Sequence, residues 1–194
     1  VAAPGQAVGH RHVGWTIRLA VGVGEAEAQP QLVGGLDQCG RGQHRHDAQH
    51  LQRIAEHTIH VEAGLGERVA FHWEGEPAGD IRTITYAELQ LDVVRMANAL
   101  KELGVGKGTA VAIYMGMVPE LAVAMLACTR LGAPHTVVFG GFSADSLSDR
   151  MNDMGCEVLV TQDEAWRRGK PVPLKRVADE AMAESPGVRA SLVV

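Results

Sequence analysis

The sequence predicts an α/β protein: a mostly parallel sheet with helices on both faces, preceded by a largely disordered tail. Three observations carry this. Beyond residue 60, segments of strand period and helix period alternate four times, as βαβ units do. The helical segments open and close on recognisable capping residues. Residues 1–58 show neither period.

That first region contains one aromatic residue, Trp15, and no lysine, and seven of the nine histidines fall within the first 60 residues. Stretches such as "VGVGEAEAQPQ" bury too little apolar surface to offset the entropy of ordering them. A short helix is expected over 47–57. Cys39, His44, His46 and His50 match no zinc-finger spacing, so no metal site is assigned. The arginine-, alanine- and glycine-rich text reads as GC-rich DNA does out of frame, which makes a shifted reading frame upstream of about residue 59 a working expectation.

From there the elements follow in order. "ERVAFHWE" (67–74) and "IRTIT" (81–85) alternate as strands do. Thr85 and Glu88 form a capping box for a helix with an inner stripe of Tyr86, Leu89, Val93, Ala97, Leu100 and Leu103, stopped at Gly104. A strand is expected at 109–115. "VPELAVAMLACTRLG" (118–132) is a helix with Pro119 in its first turn and Gly132 at its end. It is apolar nearly all round, which implies deep burial. A strand at 135–139 leads to a helix capped by Ser143, with Leu147, Met151 and Met154 inward. A strand at 157–161, a loop, a helix near 174–184 and a strand at 188–194 complete the chain. Met115, Met117 and Met125 are expected to fill core space. His135 is expected to be a satisfied core or edge histidine. Because the alternation stops on a strand, the domain is expected to be truncated.

Composition narrows the function. The 194 residues suffice for one domain, and 46% hydrophobic content is ordinary for a globular fold. A net charge of -5 argues against nucleic acid as a partner. No apolar run approaches the ~18 residues of a membrane span. Three cysteines without a CxxC pair suit reduced thiols in the cytoplasm. "GVGKGT" (104–109) is not a Walker loop: its first glycine would fall on Lys101, and Gly108 follows Lys107. Neither G-x-G-x-x-G nor G-x-S-x-G occurs.

Two strand ends carry chemistry. In open parallel sheets, ligands bind beyond the carboxyl ends of the strands. "VVFGGFS" (137–143) leaves a strand through Gly140 and Gly141 and opens a helix at Ser143, an arrangement suited to close backbone approach or to an anion. It is equally a tight turn with a capping serine. In "DEAWRRGKPVPLK" (163–175), Arg167, Arg168 and Lys170 crowd together. From Glu164 to Arg176 five cations face one carboxylate, leaving +4 locally and -9 elsewhere. Such a cluster suits phosphate recognition, or it is a solvated loop of routine charge.

The run from His60 to Lys175 resembles the AMP-forming acetyl-CoA synthetases, of the adenylate-forming acyl-CoA synthetase superfamily. The resemblance lies in "HVEAGLGERVAFHWEGEP" (60–77), "RTITYAEL" (82–89), "ANALKELGVGKG" (97–108), "VAIYMGMVPELAVAMLACTRLGAPHTVVFGGFSADSLSDRMND" (111–153) and "RRGKPVPLK" (167–175). In that family acetate attacks MgATP to give acetyl-adenylate and diphosphate. The CoA thiol then takes the acetyl group and releases AMP. The resemblance implies that Arg167, Arg168, Gly169 and Lys170 hold the phosphorylated nucleotide end of CoA, with Gly140 and Gly141 beside it. Lys170 stands where some relatives carry arginine. Gly116 stands where proline is usual, a change expected to loosen the loop and to cost stability.

The family's T-S-G-T-T-G-x-P-K-G phosphate loop, its later adenine, ribose and acetate motifs and its C-terminal catalytic lysine are not found in these residues. Residues 59–194 are therefore expected to be a truncated N-terminal part of the large domain, an incomplete half of a larger adenylate-forming domain. No catalytic residue is assigned. CoA is the expected ligand, and the sites for ATP and magnesium are expected to be largely missing. The chain is expected to be inactive alone. The alternatives are a non-catalytic CoA-binding module, one completed by a second chain, and a poorly folding product.

Overall fold

A computed structural model describes residues 61–76 and 79–194. The tail assigned to 1–58, the helix expected over 47–57 and the cysteine–histidine group lie outside the described residues.

The chain enters through an antiparallel hairpin, β1 (Val69–Glu74) and β2 (Ile81–Thr85). Thr85 ends β2 and starts α1 (Tyr86–Glu102). The predicted capping box is present: the Thr85 N–H donates to Glu88 Oε2 at 2.8 Å, and the Glu88 N–H donates to Thr85 Oγ1 at 3.3 Å. Leu89, Val93, Met96, Ala97 and Leu100 form the buried stripe of α1. Val93, Met96 and Leu100 are fully buried and contribute on the order of 2 kcal/mol each.

Four parallel strands follow: β3 (Val111–Met115), β4 (His135–Phe139), β5 (Val158–Thr161) and, last in the chain, β8 (Ala190–Val193). Their order across the sheet is β4-β3-β5-β8. Between them run α2 (Pro119–Leu131), α3 (Ala144–Met154) and α4 (Leu174–Ala183). Successive strand residues point to opposite faces, and this divides the core in two. Val111, Ile113, Val158, Val160 and Leu192 pack with α1 and α2. Ala112, Tyr114, Val138 and Leu159 pack with Leu147 and Met151 of α3 and Leu174, Ala178 and Ala181 of α4. The chain is thus α/β, with helices on both faces of a parallel sheet.

Several expectations change. The segment read as a loop after β5 contains a second antiparallel hairpin, β6 (Ala165–Arg167) and β7 (Lys170–Val172). Three-residue strands are too short to show a period. Only Met115 of the three methionines is in the core. Met117 is 74% exposed in the loop before α2, and Met125 is 38% exposed on α2, whose buried face is formed by Val123, Ala124, Ala127 and Cys128. His135 opens that edge strand and is half-buried. Among the described residues, no helix is long and apolar enough to cross a membrane.

Candidate functional site

The strand order reverses at β3. The connection through α2 carries the chain outward to β4, and the connection through α3 carries it back across β3 to β5. The loops after β3 and β5 therefore part toward opposite faces and leave a crevice, the usual ligand position in such sheets. A cavity of about 520 Å³ occupies it, walled by Gly116 beyond β3, Phe139 and Gly140 at the end of β4 and Gln162 beyond β5. The β6–β7 hairpin closes one side and the β1–β2 turn another.

Polar contacts hold this rim in place. Gly116 N–H donates to Gln162 Oε1 at 2.7 Å, and Gln162 Nε2 donates to the Glu164 carbonyl at 2.6 Å. Trp73 Nε1 donates to the Met117 carbonyl at 2.7 Å, pinning β1 to the loop after β3. Tyr114 OH donates to the Phe142 carbonyl at 2.9 Å, anchoring the loop after β4 from below. Burial raises the Tyr114 phenol above its ordinary pKa.

The two glycines after β4 are accounted for by close approach. A β-carbon on Gly140 would lie 2.9 Å from the Met115 carbonyl oxygen. One on Gly141 would run into the Arg167 guanidinium and lie 2.9 Å from Phe139 Cε1. Gly141 and Phe142 both turn their N–H groups back to the Phe139 carbonyl, at 2.8 and 3.0 Å, so the tight-turn reading holds for the backbone. Ser143 caps α3 by accepting from the Ser146 N–H at 3.3 Å.

The cationic stretch is the tip of the β6–β7 hairpin. Arg168 and Gly169 form its two-residue turn with φ of 52° and 73°. Positive φ at both positions defines a type I′ turn, the type that matches strand twist. Holding an arginine there costs about 1 kcal/mol. Arg167 pairs with Lys170 across the turn, so two like charges share one face with β-carbons roughly 5 Å apart, an unfavourable pairing by itself. Arg167 lays its guanidinium over the Phe139 ring, 4.9 Å from the centroid.

The structure thus brings Arg167 to the corner formed by Gly140 and Gly141. Arg167, Arg168 and Gly140 line the cavity; Gly141 and Lys170 stand outside its wall. Glu74, Glu76, Asp80 and Glu164 also line it, so its interior is not a cationic pocket. Arg167 reaches the rim beside Gly141, with Lys170 paired to it across the turn.

Two features of this rim were missed in the sequence. Arg150 of α3 places its guanidinium 4.6 Å from the Phe142 ring centroid, and Phe142 meets Phe139 edge-on at 6.1 Å. The spacing of Arg150 on α3 gave no sign of this. The second is Glu76, which accepts from the Arg168 N–H at 2.8 Å and the Gly169 N–H at 3.0 Å. The Gly169 and Arg168 amides, with the Arg167 and Arg168 charges nearby, hold the Glu76 carboxyl below its ordinary pKa.

A doubly wound sheet with its crevice at the reversal point is shared by many nucleotide-using enzymes. The family model described as AMP-binding enzyme matches residues 60–192, and the chain belongs to that family. It is similar to the acetyl-coenzyme A synthetase of Mycolicibacterium smegmatis, 57% identical over 135 residues that cover 70% of this chain and 14% of that protein. The acetyl-coenzyme A synthetase of Streptomyces avermitilis is also 57% identical over 135 residues, covering 70% of this chain and 21% of that protein. That of Rhodopirellula baltica is 53% identical over 140 residues, again 70% and 21%. The chain thus spans 14 to 21% of the length of these relatives. Each carries the matching segment within one polypeptide, which lends no support to the alternative of a module completed by a second chain.

Proposed function

We propose that this chain is part of an AMP-forming acetate–CoA ligase, and that the rim formed by Arg167, Arg168, Gly169, Lys170, Gly140 and Gly141 receives the phosphorylated nucleotide end of CoA. The observation that carries this reading is the Arg167 guanidinium seated on Phe139 in the space left by Gly141. A guanidinium held on a ring face keeps its N–H edge available for a phosphate. The like-charged Arg167–Lys170 pair becomes favourable once an anion lies between the two cations. The four carboxylates of the cavity direct that anion to the outer rim.

The relatives are acetyl-coenzyme A synthetases, which supports CoA as the ligand, and membership of the AMP-binding enzyme family supports an adenylate step; ATP and magnesium for that step are what the resemblance implies. These 194 residues contain no T-S-G-T-T-G-x-P-K-G run to cradle the ATP phosphates. Adenylyl transfer depends on positioning and charge stabilisation, and the groups that would supply them are not among these residues. The chain alone therefore binds CoA without turning over. Two buried thiols, Cys128 and Cys156, suit a reducing compartment, and we place the protein in the cytoplasm.

Two measurements test the reading. Calorimetry should show tighter binding of CoA than of dephospho-CoA; equal affinities would remove the role assigned to Arg167 and Lys170. Acetate- and ATP-dependent diphosphate release by the purified chain should equal a buffer control, and turnover above it would overturn the claim of inactivity.

A further inference from the structure

The amides of Arg168 and Gly169 need an acceptor that their own hairpin does not provide. In a two-residue type I′ turn the central N–H groups point away from the ladder. Two successive N–H groups in such a turn form a small anion-binding concavity. Here the Glu76 carboxylate occupies it, one oxygen to each amide, at 2.8 and 3.0 Å. Glu76 lies in the connection between β1 and β2, more than ninety residues earlier in the chain. The contact ties the two hairpins together at their tips.

The arrangement holds the cations without consuming them. Glu76 takes part in none of the ion pairs among the described residues. Its charge goes to the backbone of the turn, and Arg167 remains on Phe139. The carboxylate also offsets part of the repulsion between Arg167 and Arg168, whose charges lie near it. It supports the φ of 52° at Arg168, a conformation that an arginine in water seldom keeps.

We propose that Glu76 is a positioning residue for the nucleotide-phosphate rim: by holding the Arg168 and Gly169 amides it fixes the hairpin so that Arg167 and Lys170 face the same anion. This rests on the reading of the rim as the site for the 3′-phosphate of CoA. Glu76 touches no ligand in this role, and it acts through the turn it holds.

The test uses the 194-residue chain and its Glu76→Ala and Glu76→Gln variants, titrated with CoA and with dephospho-CoA. Hydrogen exchange at Arg168 and Gly169 is followed by NMR in the same samples. Glu76→Ala should accelerate exchange at those two amides. It should weaken CoA binding about tenfold while changing dephospho-CoA binding by less than about twofold. Glu76→Gln keeps one acceptor and should fall between, at roughly threefold. It also keeps the assay informative if the alanine variant folds poorly.

An equal loss for both ligands would mean a merely structural role and would overturn the proposal. So would unchanged CoA affinity, or a gain in either variant, since a gain means that the carboxylate competes with the ligand. If the unmutated chain fails to prefer CoA over dephospho-CoA, the reading of the rim falls and this proposal with it. If the preference holds and both variants match it, only the role of Glu76 falls.

Discussion

The guanidinium of Arg167 occupies the space that a β-carbon on Gly141 would need, and it rests 4.9 Å from the centroid of Phe139. A glycine read as suited to close backbone approach, or equally as part of a tight turn, is thus the floor under a placed cation. Gly141→Ala should push the Arg167 side chain away. The obstacles are the far end of the Arg167 side chain and the edge of the exposed Phe139 ring, both of which can shift, so stability should change by less than about 1 kcal/mol. CoA affinity should fall roughly tenfold, measured by calorimetry beside a thermal melt. Unchanged affinity in a folded variant would separate Gly141 from the anion site.

Arg168 offers the opposite balance. Asparagine tolerates positive φ and favours type I′ turns before glycine. Arg168→Asn should stabilise the chain by about 0.5–1 kcal/mol and weaken CoA binding by removing a cation. A denaturant series on the variant checks the first effect, and calorimetry the second. A loss of stability would mean that the Arg168 side chain contributes more than its strained backbone costs.

Gly116 stands where the resembling family usually carries proline, and the resemblance implied a cost for that change. The structure points the other way for this chain. The Gly116 N–H donates to the buried Gln162 side chain at 2.7 Å, and a β-carbon at 116 would lie 2.8 Å from Ala165 Cβ. Gly116→Pro should destabilise the chain by about 1–3 kcal/mol, through an acceptor left unpaired and a displaced hairpin. Chemical denaturation measures it, and a gain in stability would contradict the hydrogen-bond argument.

The carboxyl of Glu76 is held below its ordinary value of 4.5 by the Gly169 and Arg168 amides. A depressed folded-state pKa contributes stability that is present above the unfolded value and is lost as pH falls through the folded one. The link between the hairpins should therefore hold at neutral pH and release in acid, below the ordinary carboxyl range. Exchange at the Arg168 and Gly169 amides, corrected for intrinsic pH dependence, should quicken there in the unmutated chain. Glu76→Gln should lack that step.

Burial pushes the Cys128 thiol up to about 12 and the Cys156 thiol up to about 11. Thiolates are the reactive form, so neither should alkylate with iodoacetamide at pH 8 while the chain is folded. Both should alkylate in urea. Peptide mass spectrometry reads each site separately, and rapid labelling of Cys128 in buffer would indicate that the α2 face opens readily.

The sequence by itself determined the first hairpin, the strands and helices of the parallel-sheet core and how they alternate. Thr85 with Glu88, Pro119, Gly132 and Ser143 mark helix ends through contacts within a few residues, and such signals survive without the rest of the fold. The four strands of the parallel sheet follow from the same local periodicity, and so does the separation of the core into two faces. The shape of the β6–β7 hairpin, the exposure of Met117 and the approach of Arg167 to Gly141 were decided only by the tertiary structure. So was the reach of Glu76 to a turn more than ninety residues away. Those contacts join segments far apart in the chain. They form only where the β3 switch point and the two hairpins meet, and no local preference of Glu76, Arg167 or Gly141 encodes that meeting.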